Sequence, residues 1–221
     1  MATEVVAIDH RLVVNAFLVS LPLIGRQRRA GALVALHPLR VGVALRAGGR
    51  NVQRIDGGLR VANRAHTGPW DPARDESFYT AAGQRLELDL DQRAWTAGSA
   101  FAFAVLDTSD DGRLIGRVAL ANVVRGPWQN ATLGYWISAD AGGRGHATRA
   151  VRLILRFAFE HAGLHRVQPA VIPRNERSIR VVERVGFRRE GRAAKYLRIN
   201  GVWEDHDIYA LTAEDWERMK A

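Results

Sequence analysis

The sequence predicts a mixed α/β domain, with a run of antiparallel strands leading into a strand–helix alternation. Three observations carry this. Short apolar runs rich in strand formers, separated by turn residues, follow one another between residues 100 and 138. A glycine-rich loop then hands over to segments of helical period. Near the C-terminal end, Asn200-Gly201 is a two-residue turn signal between two further strand-like runs. The 221 residues are enough for one domain with a sizeable core.

The elements follow in order. Val41–Arg46 reads as a first strand, and 51–65 as a helix interrupted by Gly57 and Gly58. Gly68-Pro69-Trp70-Asp71-Pro72 is a turn, and Gln84–Thr96 carries Leu86, Leu90 and Trp95 at helix-like spacing. Ala100–Asp107, the turn Asp110-Asp111-Gly112, Arg113–Val124, a break at Pro127–Asn130, and Thr132–Ser138 give three successive antiparallel strands. The loop Gly142-Gly143-Arg144-Gly145 precedes a helix over Ala147–His161, with Val151, Ile154, Leu155, Ala158 and Phe159 on one side and Gly163 at its end. His165–Ile172 is a strand, and Asn175–Val185 a helix stopped by Gly186. Phe187–Ile199 and Val202–Leu211 form a hairpin, and Thr212 with Asp215 caps a last short helix. Residues 1–40 carry little punctuation and read as an N-terminal extension, of the kind an upstream start codon produces; the domain is placed at 41–221.

Composition excludes several chemistries. The chain has no cysteine, so it has no disulfide, thiolate metal site or cysteine nucleophile. The net charge is +9, but only Lys195 and Lys220 of the 32 basic residues are lysines, and the arginines are scattered. That favours a compositional bias, with some arginines serving an anionic cofactor, over dedicated nucleic-acid binding. Leu12–Ile24 is apolar but too short to span a bilayer, which needs about 20 residues. Its basic cluster Arg26–Arg29 follows the apolar run, where a signal peptide would carry charge before it. The expectation is a cytoplasmic protein without a membrane segment. There is no Gly-x-Ser-x-Gly elbow and no His-Glu-x-x-His spacing.

Chemistry concentrates where Gly134-Tyr135-Trp136-Ile137-Ser138 runs into Gly142–Gly145 and then His146-Ala147-Thr148. Amides at a helix start have no intrahelical acceptor, and the helix dipole adds positive potential there. Glycines let backbone approach a phosphate without a Cβ in the way. No Gly-Lys-Ser/Thr follows, so this is not a nucleoside-triphosphate loop, and the glycine spacing is wrong for a dinucleotide fingerprint. An ordinary strand-to-helix turn is the competing reading of the glycines alone. Pro173-Arg174-Asn175-Glu176-Arg177-Ser178 after the next strand and Val185-Gly186-Phe187 after the next helix add weight to the phosphate cradle.

Arg144-Gly145-His146-Ala147, Asn175 with Ser178, and Gly186-Phe187 together resemble the signature of the GNAT acyltransferases, and within them the RimJ/RimL-type N-terminal protein acetyltransferases. Asn63-Arg64 with Pro69–Pro72, Gly134–Trp136, and Tyr196–His206 add to the likeness, which covers about residues 41–212 and is strongest after residue 130. The resemblance implies the GNAT acyl-CoA N-acyltransferase fold: a mixed, mostly antiparallel sheet with a splayed central strand pair and flanking helices. It implies acetyl-CoA as cofactor, its pyrophosphate on the main chain of Gly143, Arg144, Gly145, His146, Ala147 and Thr148. The pantetheine arm would lie along Trp136–Ser138, an amide among Tyr135, Trp136 and Ile137 would polarise the thioester carbonyl, and Asn175 would hold the arm near the sulfur. A free amine attacks directly, without a covalent enzyme intermediate.

Two positions depart from the family pattern. Many members carry a tyrosine four residues before Gly-Phe, where this chain has Val182; the resemblance makes Ser178 the replacement, bonding the sulfur. Gly142 stands where Gln or Arg is usual, which removes a side chain over the phosphates and leaves the backbone cradle. The expected acceptor is a protein N-terminal amine, ribosome-associated in the closer resemblance, with a small-molecule amine or a non-catalytic CoA- or RNA-binding module as alternatives; a homodimer stays open. His146 either meets a phosphate or, in the preferred reading, turns its ring to water. Trp70 and Tyr79 are candidates for the amine entrance against simple packing, and Trp136 and Trp203 for core or pocket wall. Glu204-Asp205-His206-Asp207 alternates faces along a strand, so too few ligands converge for a metal, although one of the four could be a base.

Overall fold

The computed structural model of the protein describes residues 33–34, 43–47 and 58–220. Nine strand segments form one sheet: β1 (Leu33–Val34), β2 (Val43–Ala47), β3 (Phe101–Asp107), β4 (Arg113–Val124), β5 (Asn130–Ile137), β6 (Arg166–Gln168), β7 (Ala170–Val171), β8 (Arg188–Ile199) and β9 (Val202–Thr212). The order is β1-β2-β3-β4-β5-β6-β9-β7, with β8 also on β9. Every pairing is antiparallel except β5 with β6. The expected first strand is β2, and β1 adds an edge from within the predicted extension. The rest of that extension, Leu12–Ile24 included, lies outside the described residues, as does the first half of the helix expected over 51–65.

One face of the sheet carries α3 (His146–Arg156), which lies across β2, β4 and β5. Its Val151, Ile154 and Leu155 meet Leu45, Phe103, Val105, Val118, Leu120 and Leu133 in the main core, as the helical spacing predicted. The helix runs on into a π turn at Phe157–His161, which sets Phe157 edge-on to Phe101 and Phe103 at 5.1 Å each. Residues 58–62 are helical, and α1 (Arg64–Thr67) continues into a 3₁₀ turn over Gly68–Trp70. The longer α2 (Ala81–Ala97) packs on β3. Leu88 of α2 rests on Ala104, Leu106 and Leu114, and Trp95 closes on the Phe101, Phe103 and Phe157 rings. The expected helix is there and its Trp95 packs inward, but Leu86 and Leu90 are corrected: both lie more than 45% exposed, and the interior takes Gln84, whose amide donates to Phe78 O at 2.6 Å.

The feature that positions the site is where two strands part. β5 and β6 pair in parallel over Asn130–Thr132 and Arg166–Gln168 alone. The predicted single strand 165–172 is broken at Pro169, which has no N–H to donate. Beyond it, β7 turns to β9, with Ala170 opposite Ile208 and Val171 opposite Asp207. Leu133–Ile137 of β5 therefore keep β4 on one side and, among the described residues, no strand on the other. This is the splayed central pair. Helix α4 (Glu176–Val185) follows β7, and α5 (Ala213–Lys220) closes the chain, its Thr212–Asp215 cap reciprocal at 3.2 and 3.3 Å.

Candidate active site

The open edge of β5 runs straight at a helix N-terminus. Gly143 and Gly145 take φ of +76° and +78°, and a Cβ at Gly143 would meet open space. Gly145 is the N-cap of α3 and has no side chain to bond its amides. The first amide of the turn with an acceptor in the protein is Arg149 N–H, on Gly145 O at 3.1 Å. The amides from Gly145 to Thr148 are left for a ligand, in the geometry that binds phosphate. Arg149, which sequence reading passed over, wraps its guanidinium beside Gly145 and donates to Arg144 O at 2.9 Å, placing a cation at the loop. Its signal was the i+4 spacing from Gly145. A Cβ at Gly142 would crowd Ala139 O at 3.1 Å, so the glycine that departs from the family pattern has a local reason.

His146 is corrected. Its ring is 1% exposed and turned into the core, so it neither faces water nor reaches a phosphate; only its main chain is left for the cradle. Nε2 lies 3.5 Å from the Asp107 carboxylate, and neither ring nitrogen completes a hydrogen bond. Burial lowers its pKa, opposed by Asp107. Thr148 is also buried. Both protons of Ser138 are spent, its N–H on Ile115 O at 2.7 Å and its hydroxyl on Asp140 at 2.6 Å, and its carbonyl already accepts from Ala141 N–H.

Across the gap, Asn175 caps α4 by accepting Ser178 N–H at 3.2 Å. Ser178 Oγ then sits 2.8 Å from the Tyr135 hydroxyl. Sequence reading gave Tyr135 only a main-chain part; the phenol is a further site group, and it stands opposite the very helix that lacks a tyrosine at Val182, a fully buried position. Burial pushes the Tyr135 phenol up to about 12, so it stays protonated. Its one proton has two acceptors on Ser178, the carbonyl at 3.3 Å and Oγ at 2.8 Å, and when it goes to Oγ the serine proton is free for another acceptor.

The neighbouring residue, Trp136, faces the other side of the sheet. Arg60 lies 4.6 Å above its ring and bonds Asp71 at 3.0 Å. Its indole Nε1 is shut from solvent without a partner. Asn63, in the motif read beside Arg64, is buried and accepts Ala139 N–H at 2.8 Å, tying the helical turn to the end of β5. On the same side, Arg174 pairs with Glu204 at 2.8 Å and lies over Trp70 at 5.3 Å, and Asn200 N–H of the β8–β9 turn donates to Asp71 O. Trp70 thus borders this face, while Tyr79 stacks under Arg64 at 4.2 Å. Trp203 is 59% exposed and belongs to neither core nor closed wall. Asp207 points away, held by Arg189 at 2.7 Å and Arg192 at 2.9 Å, which keep its carboxyl down at about 2.

A helix start with free amides, opening on an unzipped strand pair, suits the phosphates and arm of an acyl-CoA. The chain belongs to the GNAT acetyltransferase family: the description "Acetyltransferase (GNAT) domain" matches residues 57–188. It is 40% identical over 161 residues, 73% of this chain and 88% of the other, to the probable N-acetyltransferase YjcK of Bacillus subtilis. It is 37% identical to the [ribosomal protein uS5]-alanine N-acetyltransferase of Escherichia coli, over 70% of this chain and 79% of that one. Among solved structures, the ribosomal-protein-S5-alanine acetyltransferase of Vibrio fischeri superposes with a TM-score of 0.76 at 33% identity, covering 83% of this chain and 98% of that one. RimJ of Mycobacterium smegmatis in complex with CoA-disulfide gives 0.77 at 30%, covering 82% and 88%. Acetyl-CoA is the family's cofactor, and the free amides and left-handed glycines of the loop fit its phosphates.

Proposed function

We propose that this N-acetyltransferase acts on the N-terminal amine of a protein, of the ribosomal-protein-alanine kind. The observation that carries the reading is the acceptor side of the cleft. Around Trp70 and Arg174 the β8–β9 hairpin exposes Tyr196, Leu197 and Val202 on the face of Glu204, an apolar rim that a small polar amine would not use and a peptide chain would. The names of the Escherichia coli and Vibrio fischeri relatives support the same choice. A net charge of +9 suits a substrate met on the ribosome.

The cofactor supplies an acetyl thioester and departs as a thiol. Gly143 to Thr148 would hold its phosphates through their main chain, with Arg149 adding charge. Tyr135, Trp136 and Ile137 present the unpaired edge of β5 to the arm, and an N–H there would polarise the carbonyl. Ser138 has no group left for this. Asn175 fixes the first turn of α4, and Ser178, steadied by the Tyr135 hydroxyl, donates its proton toward the sulfur.

A screen of alanine-, serine- and methionine-started peptides against spermidine and free amino acids, read by CoA release, tests the proposal. Peptides should turn over with kcat/KM at least about tenfold above the small amines, a difference of about 1.4 kcal/mol. Faster small amines would overturn it. CoA binding without release from any amine would point to a non-catalytic module instead.

A further inference from the structure

We propose that His206 is the base that takes the proton from the incoming ammonium. The role needs a primary amine as acceptor and does not depend on which amine it is. His206 is 2% exposed and lies on β9, on the strand face of Glu204, whose carboxylate reaches Arg174 beside Trp70. Trp136 with Arg60 and Asp71 marks the same side of the sheet on β5. β9 pairs with β7 at Val171–Asp207, next to His206, and β7 is the strand that parts from β5. The histidine therefore stands one strand in from the gap, with β7 between, and on the sheet face that carries Trp136, while Tyr135 and Ser178 serve the other face.

The ring is held in one tautomer. Nδ1 lies 3.0 Å from Glu204 O, and a carbonyl can only accept, so Nδ1 carries the proton and Nε2 the lone pair. Nε2 has no partner among the described residues and, unlike either nitrogen of His146, is not sealed from solvent. A bulge in β8 between Ala193 and Leu197 brings Tyr196 edge-on to the imidazole at 5.7 Å; it is pinned by Lys195 N–H on Asp205 at 2.9 Å. Such bulges re-aim side chains at active sites. The charged and titratable groups nearby are Tyr196, Glu204 with Arg174, and, on the opposite face, Asp205 and Asp207 with Arg189 and Arg192.

The neighbours are poorer bases. Glu204 is engaged by Arg174, Asp205 by the Lys195 amide, and Asp207 faces away between two arginines. In the reaction, an N–H proton of the ammonium passes to Nε2 and the freed nitrogen pair forms the C–N bond. The C–S bond breaks, its electron pair leaves on sulfur, and the sulfur takes a proton. The sulfur's proton comes from Ser178, which recovers one of the two protons shed by the nitrogen by way of solvent, so that one proton is released in all.

The test is His206→Asn, whose amide N–H keeps the bond to Glu204 O while Nε2 is lost. At pH 7, kcat should fall roughly 100-fold, the span of a general base. The deficit should shrink as pH rises past the α-amine range near 8, where the amine needs no help. The thermal shift with CoA should match wild type. Nitrogen NMR of the unaltered protein should show His206 as the Nδ1–H tautomer. A wild-type rate with an unchanged acid limb in the variant, or an Nε2–H tautomer in the wild type, overturns the proposal, and the second reading stands even if the variant folds poorly. Peptides failing while small amines keep the His206 dependence would sink the N-terminal reading alone.

Discussion

Taking one oxygen from Ser178 should cost rate without costing cofactor. A hydrogen bond to developing negative charge contributes about 1.5–3 kcal/mol, so Ser178→Ala should lower kcat roughly 10- to 150-fold and leave CoA affinity near wild type. Tyr135→Phe removes a neutral bond to the same oxygen, and a loss of about 2- to 12-fold is expected. In the Ser178→Ala background the phenylalanine should cost almost nothing further, because the two act as one unit; additive losses in steady-state kinetics would break the coupling argued from their 2.8 Å contact. Asp207 gives a prediction in stability. Its folded pKa is depressed, from 3.8 to about 2, so its contribution is present above the unfolded value and lost as pH falls through the folded one. Asp207→Asn should be less stable at pH 7 by at most about 2 kcal/mol, with the gap closing between about pH 4 and pH 2 in urea melts. Residues whose part is played by main chain were legible in the sequence, since glycines and an Asn cap announce themselves locally. The Tyr135 hydroxyl and the buried His146 ring were not, because the first meets a partner distant in sequence, Ser178, and the second is enclosed by strands far from it in the chain, with Asp107 3.5 Å away.

At the scale of elements, the join between β4 and β5 sets where the acyl group would lie. Gly116 sits opposite Ile137, and a Cβ there would come within 2.2 Å of Trp136 O and 3.0 Å of Ile137 Cα. Backbone on the far side cannot swing away as a flexible side chain would. Gly116→Ala should therefore destabilise the fold by about 1–3 kcal/mol and shift the edge that presents Tyr135–Ile137. Activity should fall more than the thermal shift with CoA, since the phosphate loop begins beyond Ser138; an alanine variant with wild-type melting and rate would show that the strands are not held this closely. The same scale explains what the sequence hid. Hairpin turns and helix stops carry residue signatures, so β3 to β5 and α3 to α5 were placed within a few residues. On α2 the sequence reading had Trp95 but took Leu86 and Leu90 with it, whereas Leu88, seven residues before Trp95, supplies the packing. The π turn at Phe157–His161 has no composition of its own; it follows from fitting Phe157 between Phe101 and Phe103.

For the molecule as a whole, the parted strands leave two sheet halves joined by little. Among the described residues, β1–β5 meet β6–β9 through one parallel pairing of three residues, Asn130–Thr132 with Arg166–Gln168. A ligand with its phosphates at α3 and its arm along β5 would lie across that seam and bind only the assembled form. At 100 times its Kd such a ligand adds about 2.7 kcal/mol, which for a protein of this size corresponds to a rise of about 5–10 °C in Tm. The added stability should be local as well as global. Backbone amides of Leu133–Ile137 that have no partner on β4 face the gap, and hydrogen exchange there should slow when CoA binds, whereas amides already paired between β3 and β4 should change only as the global stability changes. Arg149→Ala should reduce the Tm rise by removing the cation at the loop, without altering Tm in the absence of CoA by more than about 0.5 kcal/mol equivalent. A Tm rise with no protection on the β5 edge would place the ligand elsewhere on this basic surface and detach the cofactor from the gap between the strands.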